Sequence, residues 1–284
     1  MTERVGFSVS RIATIAVNTF TEAVRQKVFN ILLLFALVVI GSASFFSQFT
    51  FSEQLKFVKD FCLGAISIFG TLIAIVGTAQ LLPAEMESRT LYTILAKPVR
   101  RAEFLLGKYA GSILLIFLSV VVMSLMFVAA LWYKENQLVR DTRQDPTLTV
   151  EEKAAMESRI YEEARDFDLA KGVVLLFFKQ CLLAALTLLF STVSHSMVFN
   201  VTMGFMAFFA GHLREAATEV LWEGWVAKWL LTIVPDLAAF NVADEVIVGQ
   251  NIPWLLVGQV TGYGLVYTAV VLLIAYLMFS EREV

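Results

Sequence analysis

This sequence predicts an all-α integral membrane protein with six transmembrane helices. Three observations point to that class. The composition is not that of a water-soluble domain: of 284 residues, 58% are hydrophobic and 17% charged, against about 45–50% and about 25% in ordinary globular chains. Charge-free runs recur at 28–52, 61–84, 109–133, 180–213 and 246–280, and a crossing takes ~20 predominantly apolar residues. A soluble fold of this size could not hide that much apolar surface.

Before the first run, "SVSRIATIAVNTFTEAVRQ" (8–26) has Val9, Ile12, Ala16, Phe20 and Val24 at helical spacing, with Arg11, Asn18, Glu22 and Arg25 on the other side. It is too polar to span and suits a helix lying in the headgroup layer. The alternative is a helix packed on another protein. The first three spans are expected at 28–48, 61–84 and 108–133. The stretch 172–213 is too long for one crossing: at ~1.5 Å per residue its 42 residues would make about 60 Å of helix, twice a hydrocarbon core. Its polar break "STVSHS" (191–196) divides it into spans at 172–190 and 197–213. The last span is placed at 253–279.

Residues 134–171 read as one charged helical loop. Pro146 and Thr147 open it, Thr149 and Glu152 fit a capping box, and Met156, Ile160, Ala164 and Phe167 form a narrow apolar stripe. In 214–252, Trp222, Trp225 and Trp229 share a helical face, with breaks at Pro235, Gly249 and Pro253. This predicts outer re-entrant helices at the interface. The whole chain, 1–284, is expected to form a single membrane domain.

Orientation rests on basic residues, which favour the cytoplasmic side. With the N-terminus inside, Lys and Arg divide ten inside to eleven outside, so the count alone leaves the question open. Arg25, Lys27, Arg100, Arg101 and Lys108 crowd span ends, and all five tryptophans fall at the outer edge. Both termini are therefore expected in the cytoplasm. No apolar stretch precedes residue 28, so no cleavable signal peptide is expected.

Several chemistries lack their residues. The sequence has no GxxxxGK[ST] for nucleotide phosphates and no HExxH. His195 and His212 lack clustered partners, Cys62 and Cys181 lie singly in apolar runs, and no expected span carries a carboxylate. Neither a metal nor another cofactor is expected in this chain. Lys179 is the one ionisable group within a span. It either snorkels to the outer interface, pairs between helices, or faces a substrate pathway. Gly107-xxx-Gly111 and Gly258-xxx-Gly262 match GxxxG. The second lies within the last span and is the one expected to let helices approach closely.

Between spans two and three stands a polar island, 85–107. "EMESRTLYTILA" has helix formers with acids at its start, where the dipole favours them. Lys97–Pro98 ends it, because a residue before proline is pushed to extended geometry. The bland reading is a loop with positive-inside anchors. The motif also resembles the ABC-2 type permeases of ATP-binding-cassette transporters, through Glu87, Thr90–Leu91, Pro98 with Arg101, and Gly107–Lys108. Many relatives have glycine before Thr-Leu, where this chain has Arg89. Residues 13–29 are also similar to that family, nearest the branch linked to multicopper-enzyme maturation.

The resemblance implies that the island is a cytoplasmic coupling helix seated in a separate ATPase subunit, which would bind the ATP and Mg that this chain does not. Glu85, Glu87, Arg89, Thr90, Leu91, Lys97, Pro98, Arg100 and Arg101 would make that contact, with Arg11, Glu22 and Arg25 on the interfacial helix beside them. It implies a non-catalytic permease, acting as a homodimer or with a related chain, in a bacterial inner membrane, and exporting its substrate. Two other classes stay open on residues alone. One is a membrane enzyme acting on lipid through Glu219, Glu223, Asp236, Asp244 or Glu245. The other is a scaffold or sensor subunit.

Overall fold

The computed structural model describes residues 7–50, 53–83, 100–214, 234–242 and 252–281. These residues are helical almost throughout. The helices are α1 (Val9–Val24), α2 (Lys27–Phe46), α3 (Gln54–Ala79), α4 (Arg101–Gln144), α5 (Val150–Ala164), α6 (Asp168–Val193), α7 (Met197–His212) and α8 (Trp254–Glu281). Short 3-10 turns follow α2 at Ser47–Phe49 and precede α8 at Ala238–Phe240.

Five of the helical stretches are long and apolar enough to cross a membrane: those holding α2, α3, α4, α6 and α8. The sixth expected span corresponds to α7, which has 16 residues, about 24 Å of helix at 1.5 Å per residue. The polar "STVSHS" break does separate two helices: α6 ends at Val193, and Ser196 Oγ caps α7 by accepting from the Phe199 N–H at 3.4 Å.

Helix α4 runs unbroken for 44 residues, about 66 Å, more than twice a hydrocarbon core. The charged residues from Lys134 onward do not start a loop. "KENQLVRDTRQ" contains neither Gly nor Pro, and most of its residues tolerate a helix well. The break comes only at Asp145–Pro146, where Asp145 Oδ1 accepts from the Thr147 N–H at 2.9 Å and its hydroxyl at 2.6 Å. The expected capping box then opens α5: the Thr149 N–H donates to Glu152 Oε2 at 2.8 Å, and Thr149 Oγ1 accepts from the Glu152 N–H. Of the predicted stripe, Ile160 and Ala164 of α5 are buried, while Met156 of α5 and Phe167, which lies beyond its end, are exposed.

Helix α6 is the centre of the bundle. It packs against α3, α4, α7 and α8, and α2 packs on α3 and α4. Helices α2 and α8 present large apolar side chains outward, among them Leu34, Phe35, Val38, Leu265, Val266 and Leu273, as lipid-facing helices do. Lipid tails are as apolar as leucine, so inside a bilayer close packing and interhelical hydrogen bonds hold helices together. Ala79, at the end of α3, shows the second kind. Its carbonyl accepts from Ser191 Oγ of α6 at 3.3 Å and from Asn200 Nδ2 of α7 at 3.2 Å.

The two GxxxG matches behave opposite to expectation. Gly258 and Gly262 of α8 face open space. Gly107 and Gly111 of α4 lie directly under α1: an added Cβ would stand 2.7 Å from Ile15 Cβ and 2.6 Å from Thr19 Cβ. The face that α1 buries is Ala16, Thr19 and Ala23, while Val9 and Val17 are exposed. Small residues on both sides bring the two backbones together. The N-terminal amphipathic helix is therefore fastened to α4 along this seam.

Candidate functional site

Helix α4 begins within the polar segment 85–107, at Arg101. Arg100 is extended and forms its N-cap, and Glu103, three residues on, reaches back to accept from the Arg100 N–H at 3.2 Å. This local arrangement follows from the sequence: an acid in the first helical turn suits the positive end of the helix dipole.

Glu103 does more than cap. Its Oε1 accepts from the Ser8 N–H at 2.7 Å and from Arg11 Nη2 at 2.9 Å. The carboxylate is wholly buried. It serves as N3 residue of α4 and as anchor for the start of α1. One turn later Gly107, and two turns later Gly111, hold the body of α1 in backbone contact.

The same turns of α4 hold the far end of the chain. Arg101 Nη1 donates to the Ser280 carbonyl at 2.7 Å and the Phe279 carbonyl at 3.2 Å. A cation on the last carbonyls of a helix meets both unpaired acceptors and the negative end of the dipole. Phe104 stacks on Phe279 with ring centres 6.0 Å apart. Tyr109 OH donates to the Cys181 carbonyl of α6 at 3.1 Å. Within its first nine residues, α4 is tied to the first helix, the last helix and the central one.

Arg100 and Arg101 belong to this hub, and so does Arg11 through Glu103. Glu22 lies on α1 away from the seam and Arg25 caps the helix at its C-terminal end; both are exposed. Glu85, Glu87, Arg89, Thr90, Leu91, Lys97 and Pro98 lie outside the described residues, as do Trp222, Trp225 and Trp229. Sequence reasoning alone misses Glu103. Its one visible signal is the i, i+3 relation to the N-cap of α4. Its main partner, Arg11, is 92 residues away.

Lys179 sits mid-helix in α6, with no exposed surface, and its Nζ donates to Ser67 Oγ of α3 at 2.6 Å. It points into the bundle. Next to it, Gln180 Nε2 donates to the Ile66 carbonyl of α3 at 3.1 Å.

The opposite end of the bundle carries a second set of ion pairs. Lys171 Nζ lies 2.5 Å from Asp168 Oδ1 and donates to the Ile252 carbonyl at 2.7 Å. Asp168 Oδ2 accepts from the Ile252 N–H at 3.0 Å. The Lys171 ammonium also lies 4.9 Å from the Trp254 ring centre. Lys59 faces Asp166 at 3.6 Å, and Arg165 bonds Glu135 at 2.9 Å. These contacts fix where α8 starts and how the α5–α6 turn sits on α3 and α4. Among the described residues no three potential metal ligands converge.

The hub is a connector: its hydrogen bonds, ion pair and close packing join helices, and among the described residues it sets no nucleophile beside a base. It joins helices around the head of one span, and the helices beyond it face lipid. The family model described as ABC-2 family transporter protein matches residues 13–284. No curated protein matches the chain significantly. A membrane-crossing helical bundle without catalytic constellations among its described residues, matched over nearly its whole length by that family, belongs to it: the chain is an ABC-2 family transporter protein, a multi-pass membrane permease of the ATP-binding-cassette class.

Proposed function

We propose that this chain is the permease subunit of an exporter, driven by a separate ATPase that grips residues 85–101 from the cytoplasm. In this reading the chain makes six crossings with both termini in the cytoplasm of a bacterial cell, and two copies, or this chain and a relative, flank the pathway. Residues 214–252 are its outer re-entrant segment. The likeness of residues 13–29 to the branch linked to multicopper-enzyme maturation belongs to this proposal and names no cargo.

The observation that carries the reading is the hub at the head of α4. A push on the island enters α4 at Arg100 and Arg101. Through Glu103 and Gly107–Gly111 it is shared with α1, and through Arg101 and Phe104 with the end of α8. A load that reaches Arg100 and Arg101 is thus shared among three helices through packed contacts. Conformational coupling needs such packed, discrete contacts.

The reading is tested by isolating the chain from its native membrane and assaying bound ATP hydrolysis. Glu87→Arg is expected to insert normally and to lose the associated ATPase. Full ATP-driven transport by that variant would refute the docking role.

The lipid-enzyme reading draws no comparable support. Asp236, the one described member of its carboxylate set, is occupied: its Oδ1 accepts from the Ala238 and Ala239 N–H groups at 3.0 and 3.2 Å.

A further inference from the structure

Lys179 is an expensive residue in an unusual place. It is the twelfth of 26 residues in α6, about 16 Å along the helix from its first residue. A charge at such depth persists only where it is partnered or used. Lys179 is fully buried, and its hydrogen bond goes to a neutral hydroxyl, Ser67 Oγ. Among the described residues no carboxylate lies within ion-pairing distance of it. An ammonium has three protons to donate.

Its surroundings are also under-satisfied. Gln180 Oε1 is buried without a hydrogen-bond partner, and so is Thr71 Oγ1. Thr71 stands one turn beyond Ser67 on α3, so both project from the same face toward α6. Gly70 lies between them, and an added Cβ there would land on the Gln180 amide. The α3–α6 seam thus gathers an ammonium, two hydroxyls and an amide in an otherwise apolar bundle, with hydrogen-bonding capacity left over. Native interiors leave few such groups unpaired, and those that remain ask for an explanation.

The seam lies close to the chain's surface. Ser67 is partly exposed, Ile68 beside it is 60% exposed, and Gly64, one turn earlier, faces open space. One hydroxyl separates the ammonium from the outer side of α3, and the surface around that hydroxyl is apolar.

We propose that Lys179, Ser67, Thr71 and Gln180 form a binding site for the oxyanion of an amphiphilic substrate, a phosphate or carboxylate headgroup carried on an apolar body. The oxyanion takes the unused protons of Lys179 and the hydroxyl protons of Ser67 and Thr71. Gln180 Oε1 accepts from a hydroxyl of the headgroup or from a water that accompanies it. The apolar body lies along α3 at Gly64 and Ile68. This deepens the permease reading by naming a substrate class, and it rests on that reading for the claim that the bound molecule is carried.

The test is made on the full chain in detergent, carrying the substitution Ser67→Cys. Cys62 and Cys181 are buried, so background labelling is low. Relative to their rates on a free thiol in solution, the anionic sulfonatoethyl methanethiosulfonate is expected to label the introduced thiol about tenfold faster than its trimethylammonium counterpart, the sense in which a nearby ammonium steers a charge. Adding Lys179→Met should abolish the preference, and Lys179→Arg should keep it. If Lys179→Met does not accumulate, Lys179→Gln replaces it, with the same loss expected.

Dioctanoyl phosphatidic acid should slow the labelling several-fold, and dioctanoyl phosphatidylcholine and glycerol 3-phosphate should not. A rate ratio equal to that on the free thiol, no labelling by either reagent, or a preference that survives loss of the lysine would overturn the site. Protection by glycerol 3-phosphate alone would overturn the amphiphile. No ATPase enters this measurement, so its failure leaves the docking proposal standing. Loss of docking with the anion preference intact would count against the motor alone.

Discussion

Arg11 of α1 donates to the buried carboxylate of Glu103, the third residue of α4, at 2.9 Å. Because Glu103 also accepts from the Ser8 and Arg100 N–H groups, one side chain joins the N-terminal helix to the point where the polar island becomes a membrane span. Removing the carboxylate takes the ion pair from Arg11 and the acceptor from the half-buried Ser8 N–H, and stranding a half-buried donor costs more than its bond was worth. Glu103→Ala is therefore expected to free the start of α1 while the membrane helices persist. Limited proteolysis should cut within residues 7–20 of the variant sooner than in the parent, with unchanged helicity by circular dichroism. Identical cleavage rates would show that the clamp holds nothing.

The glycine pairs make a matched prediction. Gly111→Ala puts a methyl group 2.6 Å from Thr19 Cβ, so α1 has to shift. Such overpacking costs about 1–3 kcal/mol. Gly262→Ala meets open space and is expected to be neutral or to stabilise by up to ~1 kcal/mol through better helix propensity. Thermal melts of the two variants in the same detergent check the contrast. A melt in which Gly262→Ala is the more damaging would reverse the assignment of the packing seam.

At the other end, Asp168 and Lys171 hold the backbone at Ile252, just ahead of α8. Lys171→Met leaves Asp168 without its ion pair and the Ile252 carbonyl without its donor. Breaking a buried pair by removing one partner costs about 3 kcal/mol. Loss of stability on that scale, with a change in the Trp254 contribution to fluorescence, is the expected outcome. Equilibrium unfolding of Lys171→Met with and without Trp254→Phe measures both.

Acid should open the α4–α5 turn. Hydrogen bonds from the Thr147 hydroxyl, and then from its backbone N–H, hold the Asp145 carboxyl below the ordinary aspartate range, against a smaller desolvation effect in the opposite direction. A carboxylate depressed in the folded state adds stability above its unfolded value, about 3.9, and that stability is lost as pH falls through the folded value. Hydrogen exchange at residues 145–149 should accelerate below about pH 4 relative to the rest of α4. Asp145→Asn should remove that acid-specific step. An unchanged acid step in the variant would assign it to other groups.

Much of the bundle is legible in the sequence because hydropathy reports on the solvent a helix faces. The charge-free runs lead to the helices that hold α2, α3, α4, α6 and α8, and "STVSHS" marks the α6–α7 break. Thr149 and Glu152 are readable because a capping box is local in sequence. The end of α4 is not readable from charge. Lys134 marks a change in polarity, and a helix continues through such a change until a residue such as Pro146 stops it.

The partner of α1 is hidden for a different reason. Its buried face is Ala16, Thr19 and Ala23, and of the apolar stripe Val9, Ile12, Ala16, Phe20 and Val24 only Ala16 belongs to it. Glu103 is hidden by distance along the chain. The direction of Lys179 cannot be read either, since an amphipathic stem allows both snorkelling and inward pairing. Only the position of Ser67 on the neighbouring helix decides it.

The central claim is that the island between α3 and α4 is held in the cytoplasm by an ATP-hydrolysing subunit. The most direct measurement places a photo-crosslinking residue at Glu87 in the native membrane and identifies what it captures. A protein with nucleotide-binding sequence, captured from the cytoplasmic face and released by Glu85→Arg, is the predicted result. Modification of a cysteine at residue 87 by an impermeant reagent added outside intact cells, with no such protein captured, would contradict the account.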